Sequence, residues 1–221
     1  MYRQCLTLNP TSPLTTDVDQ LHKFVMSGWD HDLVDGAEQE RARLNILFAA
    51  ARDPHDDDTG IAGNVHTVLV QGPTPPQWGH TDHHQHLTHI GDVITFQPTF
   101  TQGQTVDLSL IAHATYCPGT NSRQPDGKRR HKPLLHAPDV ADWALRRLGP
   151  AATLDPHTIT VTDHGAPNRR APGPRRPPIH LHTIEATATI TDPDLFSTFL
   201  TEGVGRGKSY GAGLLRARPH N

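Results

Sequence analysis

The apolar positions of this chain come in short alternating runs separated by polar turns, with three amphipathic stretches between them. Residues 2–8 read as a first strand. In residues 11–28, Val18, Leu21 and Val25 recur at helical spacing, acids occupy the first turn, and Gly28 follows the end, so a helix capped by Thr16 is expected. Residues 43–52 and 64–72 fit a second and third strand across the acidic turn DPHDDDTG (53–60). An irregular His-rich stretch follows, and then a fourth expected strand at 92–100. The second half repeats the theme. A strand is expected at 104–117, then a helix at 139–149 capped by Asp139 and ended by Gly149, and strands at 158–164 and 178–192. A short helix at 191–203 carries Pro193 in its first turn and an apolar face of Leu195, Phe196, Phe199 and Leu200. GLLRARP can form a last edge strand. This order predicts an α+β protein of two tandem ferredoxin-like (RRM-like) domains, 1–100 and 101–221.

Composition sharpens this picture. Only 34% of the 221 residues are hydrophobic and 5% aromatic, so the cores must rest on aliphatics, while 20 prolines and 18 glycines imply many turns. No apolar run approaches the roughly 20 residues of a membrane span, and the first residues read as a strand rather than a signal peptide. Cys5 and Cys117 on expected strands read as buried free thiols, which favours a reduced, cytoplasmic setting. The formal charge of −3 hides an asymmetry: residues 1–122 hold 5 Lys/Arg against 14 Asp/Glu, and residues 123–221 hold 15 against 9. A basic back half fits a polyanion partner, and it fits equally an uneven but merely solvated surface.

The basic residues are concentrated in three places. Residues 119–134 place Arg123, Lys128, Arg129, Arg130 and Lys132 around an Asp126-Gly127 turn, a basic hairpin. Residues 164–178 place Arg169, Arg170, Arg175 and Arg176 among prolines and glycines, a composition that builds no core and suits either RNA contact or a solvated linker. The third place is EGVGRGKSYGAGLL (202–215). Its Gly207-Lys208-Ser209 matches the end of a phosphate-binding Walker loop, yet Glu202 stands where that motif needs a glycine and only twelve residues follow Ser209. A nucleoside triphosphate loop is therefore excluded. Bare glycine amides can instead converge on an anion, helped by the two-pronged Arg206 and the point charge of Lys208. A turn needed only to pack the last strand is the other reading, and Gly211 and Gly213 fit it best.

The stretch EGVGRGKSYGAGLLRARP resembles the C-terminal signature of the CRISPR-associated CasE family, G-x-G-x-G-K-x-x-G-x-G-L-L, which residues 203–215 match throughout. The Met-Tyr-led first strand, the early histidine of LHKFVMSG, the stretch RARLNILF and the basic hairpin before a helix are similar too. The resemblance implies tandem ferredoxin-like domains and a metal-independent endoribonuclease without cofactor. It implies binding of the CRISPR repeat stem-loop, cleavage of the precursor at the 3′ base of the stem, and retention of the product among the other type I-E Cascade subunits. Gly203, Gly205, Arg206, Gly207, Lys208 and Ser209, with Arg123, Lys128, Arg129, Arg130, Lys132, Arg169 and Arg170, are the expected RNA contacts.

The same resemblance points to His22 as the catalyst; its helical position alone suits a half-buried packing residue. An imidazole titrating at about 6.5 can take a proton from a 2′-hydroxyl or give one to a departing 5′-oxygen. The family often has a tyrosine one turn earlier, where this chain has Asp19, at i−3 from His22. Asp19 can orient the ring or simply stabilise the helix start, and without the tyrosine a non-cleaving RNA-binding subunit is the alternative. The tract holding His80, His83, His84, His86 and His89 lacks cysteine and closed-site spacing, so no metal is expected there. His180 and His182 alternate on one strand face, to touch RNA or line a polar surface, and Tyr210 can stack on a base.

Overall fold

A computed structural model describes residues 1–29, 44–53, 63–79, 81–119, 131–167 and 179–220. The first sheet joins β1 (Tyr2–Leu8), β2 (Leu47–Arg52), β3 (Val65–Gly72) and β4 (Leu87–Ile90) in the order β2-β3-β1-β4, all antiparallel. Helix α1 (Val18–Met26) lies between β1 and β2 in the chain and buries Leu21, Phe24 and Val25 with Leu6, Leu8, Val68 and Val70 in one core. Its cap is Asp17 rather than the expected Thr16. The Asp17 carboxylate accepts from the amides of Asp19 and Gln20 at 2.9 and 3.1 Å. Thr16 is drawn into the preceding 3-10 turn, Pro13–Thr15, its own amide donating to the Pro13 carbonyl. A charged acceptor reaching two amides at the positive helix end is the stronger cap.

The fourth strand also differs from expectation. It comes from the His-rich stretch, as β4, and of residues 92–100 only β5 (Ile94–Thr95) pairs, with Tyr2 and Arg3. The edge of β1 from Leu6 to Leu8 is already taken by β4. The chain after β5 instead crosses to the second half, where Phe100 packs edge-to-face on Phe196 at 5.3 Å. A one-turn helix α2 (Thr81–His84) stands before β4.

The second sheet has the order β10-β11-β6-β12, from β6 (Thr105–Ala112), β10 (Thr160–Gly165), β11 (Leu181–Ile190) and β12 (Leu215–Pro219), with β9 (Ala152–Leu154) beside β11. The expected strand at 104–117 is thus split: after β6, β7 (Thr115–Tyr116) leaves the sheet to pair with β8 (Lys132–Pro133). Helix α3 (Ala137–Leu148) begins two residues before Asp139, with His136 at its N-cap and Pro138 in its first turn, so Asp139 is a first-turn acid and not the cap. Proline's preset φ starts the helix there. Helix α4 (Pro193–Glu202) is capped by Asp192 and ends at Gly203. Val140, Trp143, Leu148, Phe196 and Leu200 of the two helices pack on Leu108, Leu110, Ile184 and Ile190 of the sheet. Each half thus has the antiparallel order of a ferredoxin-like domain, its first strand flanked by its third and fourth.

The halves are clasped across their other faces. Leu47, Gln71 and Arg3 lie side by side across β2, β3 and β1. Arg3 donates to the Gln71 side chain at 2.7 Å and to the Leu215 carbonyl at 3.3 Å, and its guanidinium stacks 3.3 Å from the Phe96 ring centroid. Gln71 donates to the Leu200 carbonyl at 2.9 Å. Burial, and then the nearby Arg216, push the Arg3 pKa down to about 10, so it stays cationic at neutral pH. Leu47 and Ala49 meet Ile111 and Leu214 in a small apolar core beside this clasp. The cysteines form no disulfide, and Cys5 is exposed rather than buried: it points away from the Leu6 face that packs on α1. Among the described residues no helix is long and apolar enough to cross a membrane.

Candidate functional site

The glycine loop is built by its glycines and anchored on both halves. Gly203, Gly205, Gly207, Gly211 and Gly213 all have φ between 78 and 92°. Two of them show why glycine is required. A Cβ on Gly207 would sit 2.9 Å from the His113 Cβ, and one on Gly211 would sit 2.9 Å from the Phe48 ring, each at a left-handed φ that side chains rarely adopt. The neck closes where the Val204 amide donates to the Gly213 carbonyl at 2.8 Å, and the Gly213 amide ties the loop to Ile111 of β6 at 2.7 Å. Arg206 forms a lone antiparallel bridge with His113, just past β6. Between Gly207 and Gly211, Lys208–Tyr210 makes one 3-10 turn.

That turn touches both α1 and β2 of the first half. His22, half-buried on α1, stacks on Phe48 with centroids 6.4 Å apart and planes 26° apart, and Phe48 is the ring against which Gly211 packs. The structure therefore brings His22 and the glycine loop together from opposite ends of the chain, through Phe48. Arg206 is exposed, while Gly203, Gly205, Gly207, Lys208 and Ser209 are half-buried. The Lys208 ammonium donates to the carbonyl of Glu202, at the negative end of α4. Tyr210 packs against Ile179, Leu181 and Ala212, so much of its ring is occupied by the protein itself.

Lys132 is exposed on the β7–β8 ribbon. Arg123, Lys128, Arg129, Arg130, Arg169 and Arg170 lie outside the described residues. In the histidine tract, His83 turns inward: its Nε2 lies 2.9 Å from Ser27 Oγ and its ring meets Phe24 and Trp78. His86 Nδ1 bonds Ser12 Oγ at 2.9 Å. These imidazoles complete the core over α1.

His182 lines no outward polar surface, and His180 is only partly exposed. His182 shares a β11 face with Ile184 and Ala186, which pack with Val140 and Trp143 of α3, and its side chain is only 1% exposed, while His180 just precedes β11 with its side chain 18% exposed. Asp163, which stands opposite His182 on β10, holds the His180 Nε2 at 2.6 Å. Burial, only partly opposed by Asp163, pushes the His182 pKa down to about 4. Burial alone would raise the Asp163 pKa, but the Gly165 amide and His180 together hold it below the usual carboxylate value. Neither Asp163 nor His113 stood out from the sequence. His113 is buried, with its Nδ1 3.0 Å from the His180 carbonyl oxygen, and it links this pair to Arg206. The only readable signal was the His-x-His alternation at 180–182; its partners needed the strand register.

A sequence model of the family described as CRISPR associated protein matches residues 1–219. No curated protein matches the chain by sequence. Among solved structures, it is similar to a CRISPR endoribonuclease Cse3 bound to a 19-nucleotide RNA, at TM-score 0.72 and 22% identity over 99% of both chains. It is similar to the CRISPR-associated protein Cas6e from Escherichia coli K-12, at TM-score 0.68 and 20% identity over the whole of both chains. A chain of the E. coli Cascade bound to a PAM-containing double-stranded DNA target matches at TM-score 0.51 and 18% identity, again over the whole of both chains. At these identities the likeness establishes the shared fold.

Proposed function

The chain belongs to the CRISPR associated protein family, and from that premise we propose that it is a metal-independent endoribonuclease that binds the CRISPR repeat stem-loop, cuts the precursor RNA at the 3′ base of the stem, and stays on the product as a Cascade subunit in the cytoplasm. Its two ferredoxin-like domains divide at residue 100. The observation that carries the reading is the junction of α1 with the Lys208–Tyr210 turn, which sets His22 beside the glycine loop.

In this reading the 2′-hydroxyl upstream of the scissile bond attacks phosphorus, and the bond to the 5′-oxygen breaks. His22 moves a proton at one end of that displacement, either off the 2′-oxygen or onto the leaving 5′-oxygen. Negative charge that builds on the non-bridging oxygens is met by the exposed Arg206 and the amides of the loop. The products are a 2′,3′-cyclic phosphate and a 5′-hydroxyl. Lys132, with Arg123, Lys128, Arg129, Arg130, Arg169 and Arg170, neutralises backbone phosphates of the stem.

The test is incubation with a repeat hairpin RNA in EDTA. A single cut at the 3′ base of the stem, blocked by a 2′-deoxy residue just upstream, supports the proposal. Binding without cleavage in any buffer would instead identify a non-cleaving subunit, the outcome that Asp19 in place of the family's frequent tyrosine makes worth measuring. Neutralising Lys128, Arg129 and Arg130 together should make the salt dependence of binding shallower, and an unchanged slope excludes the hairpin from the interface.

A further inference from the structure

We propose that Asp163, His180 and His182 form a binding site for one divalent transition-metal ion of the zinc class, which staples β10 to β11. This goes beyond RNA cleavage and does not depend on it. Among the described residues these three are the one group of His, Cys, Asp or Glu whose ligand atoms converge, all within 4.8 Å of one another.

The arrangement follows from the strand pairing. His180 and His182 sit two apart, so both rings project from one face of the strand end, with centroids 4.8 Å apart. Asp163 pairs in register with His182 on the neighbouring strand, and the ladder slips between Asp163 and Gly165. Such bulges re-aim side chains at sites. The Asp163 Oδ1 lies 2.6 Å from His180 Nε2 and 3.9 Å from His182 Nε2. Tetrahedral zinc with bonds of about 2.0–2.2 Å needs its donors roughly 3.3 Å apart. The two distances straddle that value, and all three ligand atoms lie within 4.8 Å of one another, so rotamer shifts can bring them onto one ion. The ion would take the place of the hydrogen bond between Asp163 and His180.

The surroundings are those of a built site. The Gly165 amide donates to Asp163 Oδ1 at 2.7 Å and orients the carboxylate. The His182 side chain is 1% exposed, so that imidazole has lost water on the strand face it shares with Ile184 and Ala186. Two nitrogen donors against one oxygen favour zinc, cobalt or nickel over magnesium or calcium. Three protein ligands leave a fourth position for water. The strands joined are those that carry the two ends of the Arg-rich connection 166–178. A metal clip at the base of a loop lowers the entropy that its closure costs.

The full-length protein, stripped with chelator and dialysed, is titrated with Zn2+ and separately with Co2+. Because the chain holds 17 histidines, two variants assign the site. One is Asp163→Asn/His182→Gln. The other, His84→Gln/His89→Gln, removes exposed histidines of the other tract. The expected result is one tight equivalent in the wild type and in the second variant, lost in the first. Co2+ should give a tetrahedral visible absorption band, Zn2+ should raise the melting temperature, and Mg2+ should leave it unchanged. Tight binding that persists in Asp163→Asn/His182→Gln, while that variant keeps a native circular dichroism spectrum, overturns the proposal, as does the absence of any tight equivalent in the wild type.

Discussion

The two halves share one strand order and use it differently. In the first, the second crossing helix shrinks to the single turn Thr81–His84, and inward-turned imidazoles and Trp78 close the core over α1. In the second, that helix is the ten-residue α4, and the chain leaving it has room for a glycine loop before the last strand. The first half is acidic overall and offers an imidazole on α1; the second is basic and offers the loop. Neither half alone contains both. Duplicated topology here supplies two scaffolds, and the proposed chemistry sits where one helix of the first touches one loop of the second.

If that junction is the site, the largest effect comes from His22→Ala. It should lower the cleavage rate by roughly 10²–10⁴-fold, the usual worth of a positioned general acid or base, with RNA affinity retained. A variant that still cuts at the wild-type rate removes the imidazole from the reaction. Gly211→Val comes next. Its side chain would meet the Phe48 ring at a left-handed φ, which should cost about 1–3 kcal/mol and displace the loop from α1. Its melting temperature should fall, and its cleavage should fall further than its RNA binding. Unchanged values for both would show that the loop's course against Phe48 is not constrained.

The clasp offers a milder break. Arg3→Met removes the bonds to Gln71 and Leu215 and leaves a buried amide short of a partner, at a cost of about 1–3 kcal/mol. Denaturant unfolding should show the loss, and separation into two transitions would mean that the halves then unfold apart. Arg206→Ala should weaken RNA binding and reduce the salt slope by about 1; fluorescence anisotropy across a salt series reads both.

The smallest effect contrasts the two histidine groups. An unfolded imidazole ionises at about 6.5, and folded His182 at about 4. Between those values the unfolded chain binds the proton and the folded one does not, so stability falls as pH drops through that window. His182→Gln should flatten the fall in melting temperature from pH 6.5 toward pH 4. An equal fall in both proteins would assign the acid sensitivity elsewhere.

Much of this is legible in the sequence. The periods of Val18, Leu21 and Val25 and of β11 mark true elements, and Gly203 and Gly149 end the helices they were expected to end. The misreadings share a cause. Thr16 and Asp139 are good caps in isolation, and their neighbours' backbone bonds and Pro138 shifted the helix starts. Residues 92–100 have a strand's composition, but β1 had almost no edge left for them. His182 looks like a surface residue on an alternating strand, but its β11 face, shared with Ile184 and Ala186, is the one that packs into the core.

The chain's own order determined the elements, the two-part plan and the glycine loop, because periodicity, capping and the left-handed φ of glycine are properties of neighbouring residues. Only the folded molecule decided which distant residues meet: Phe48 between His22 and Gly211, Arg3 on the Leu215 carbonyl, and Asp163 opposite His182. Those contacts depend on strand register and on how two sheets dock, and a shift of one residue in either would replace every partner while leaving the local pattern intact.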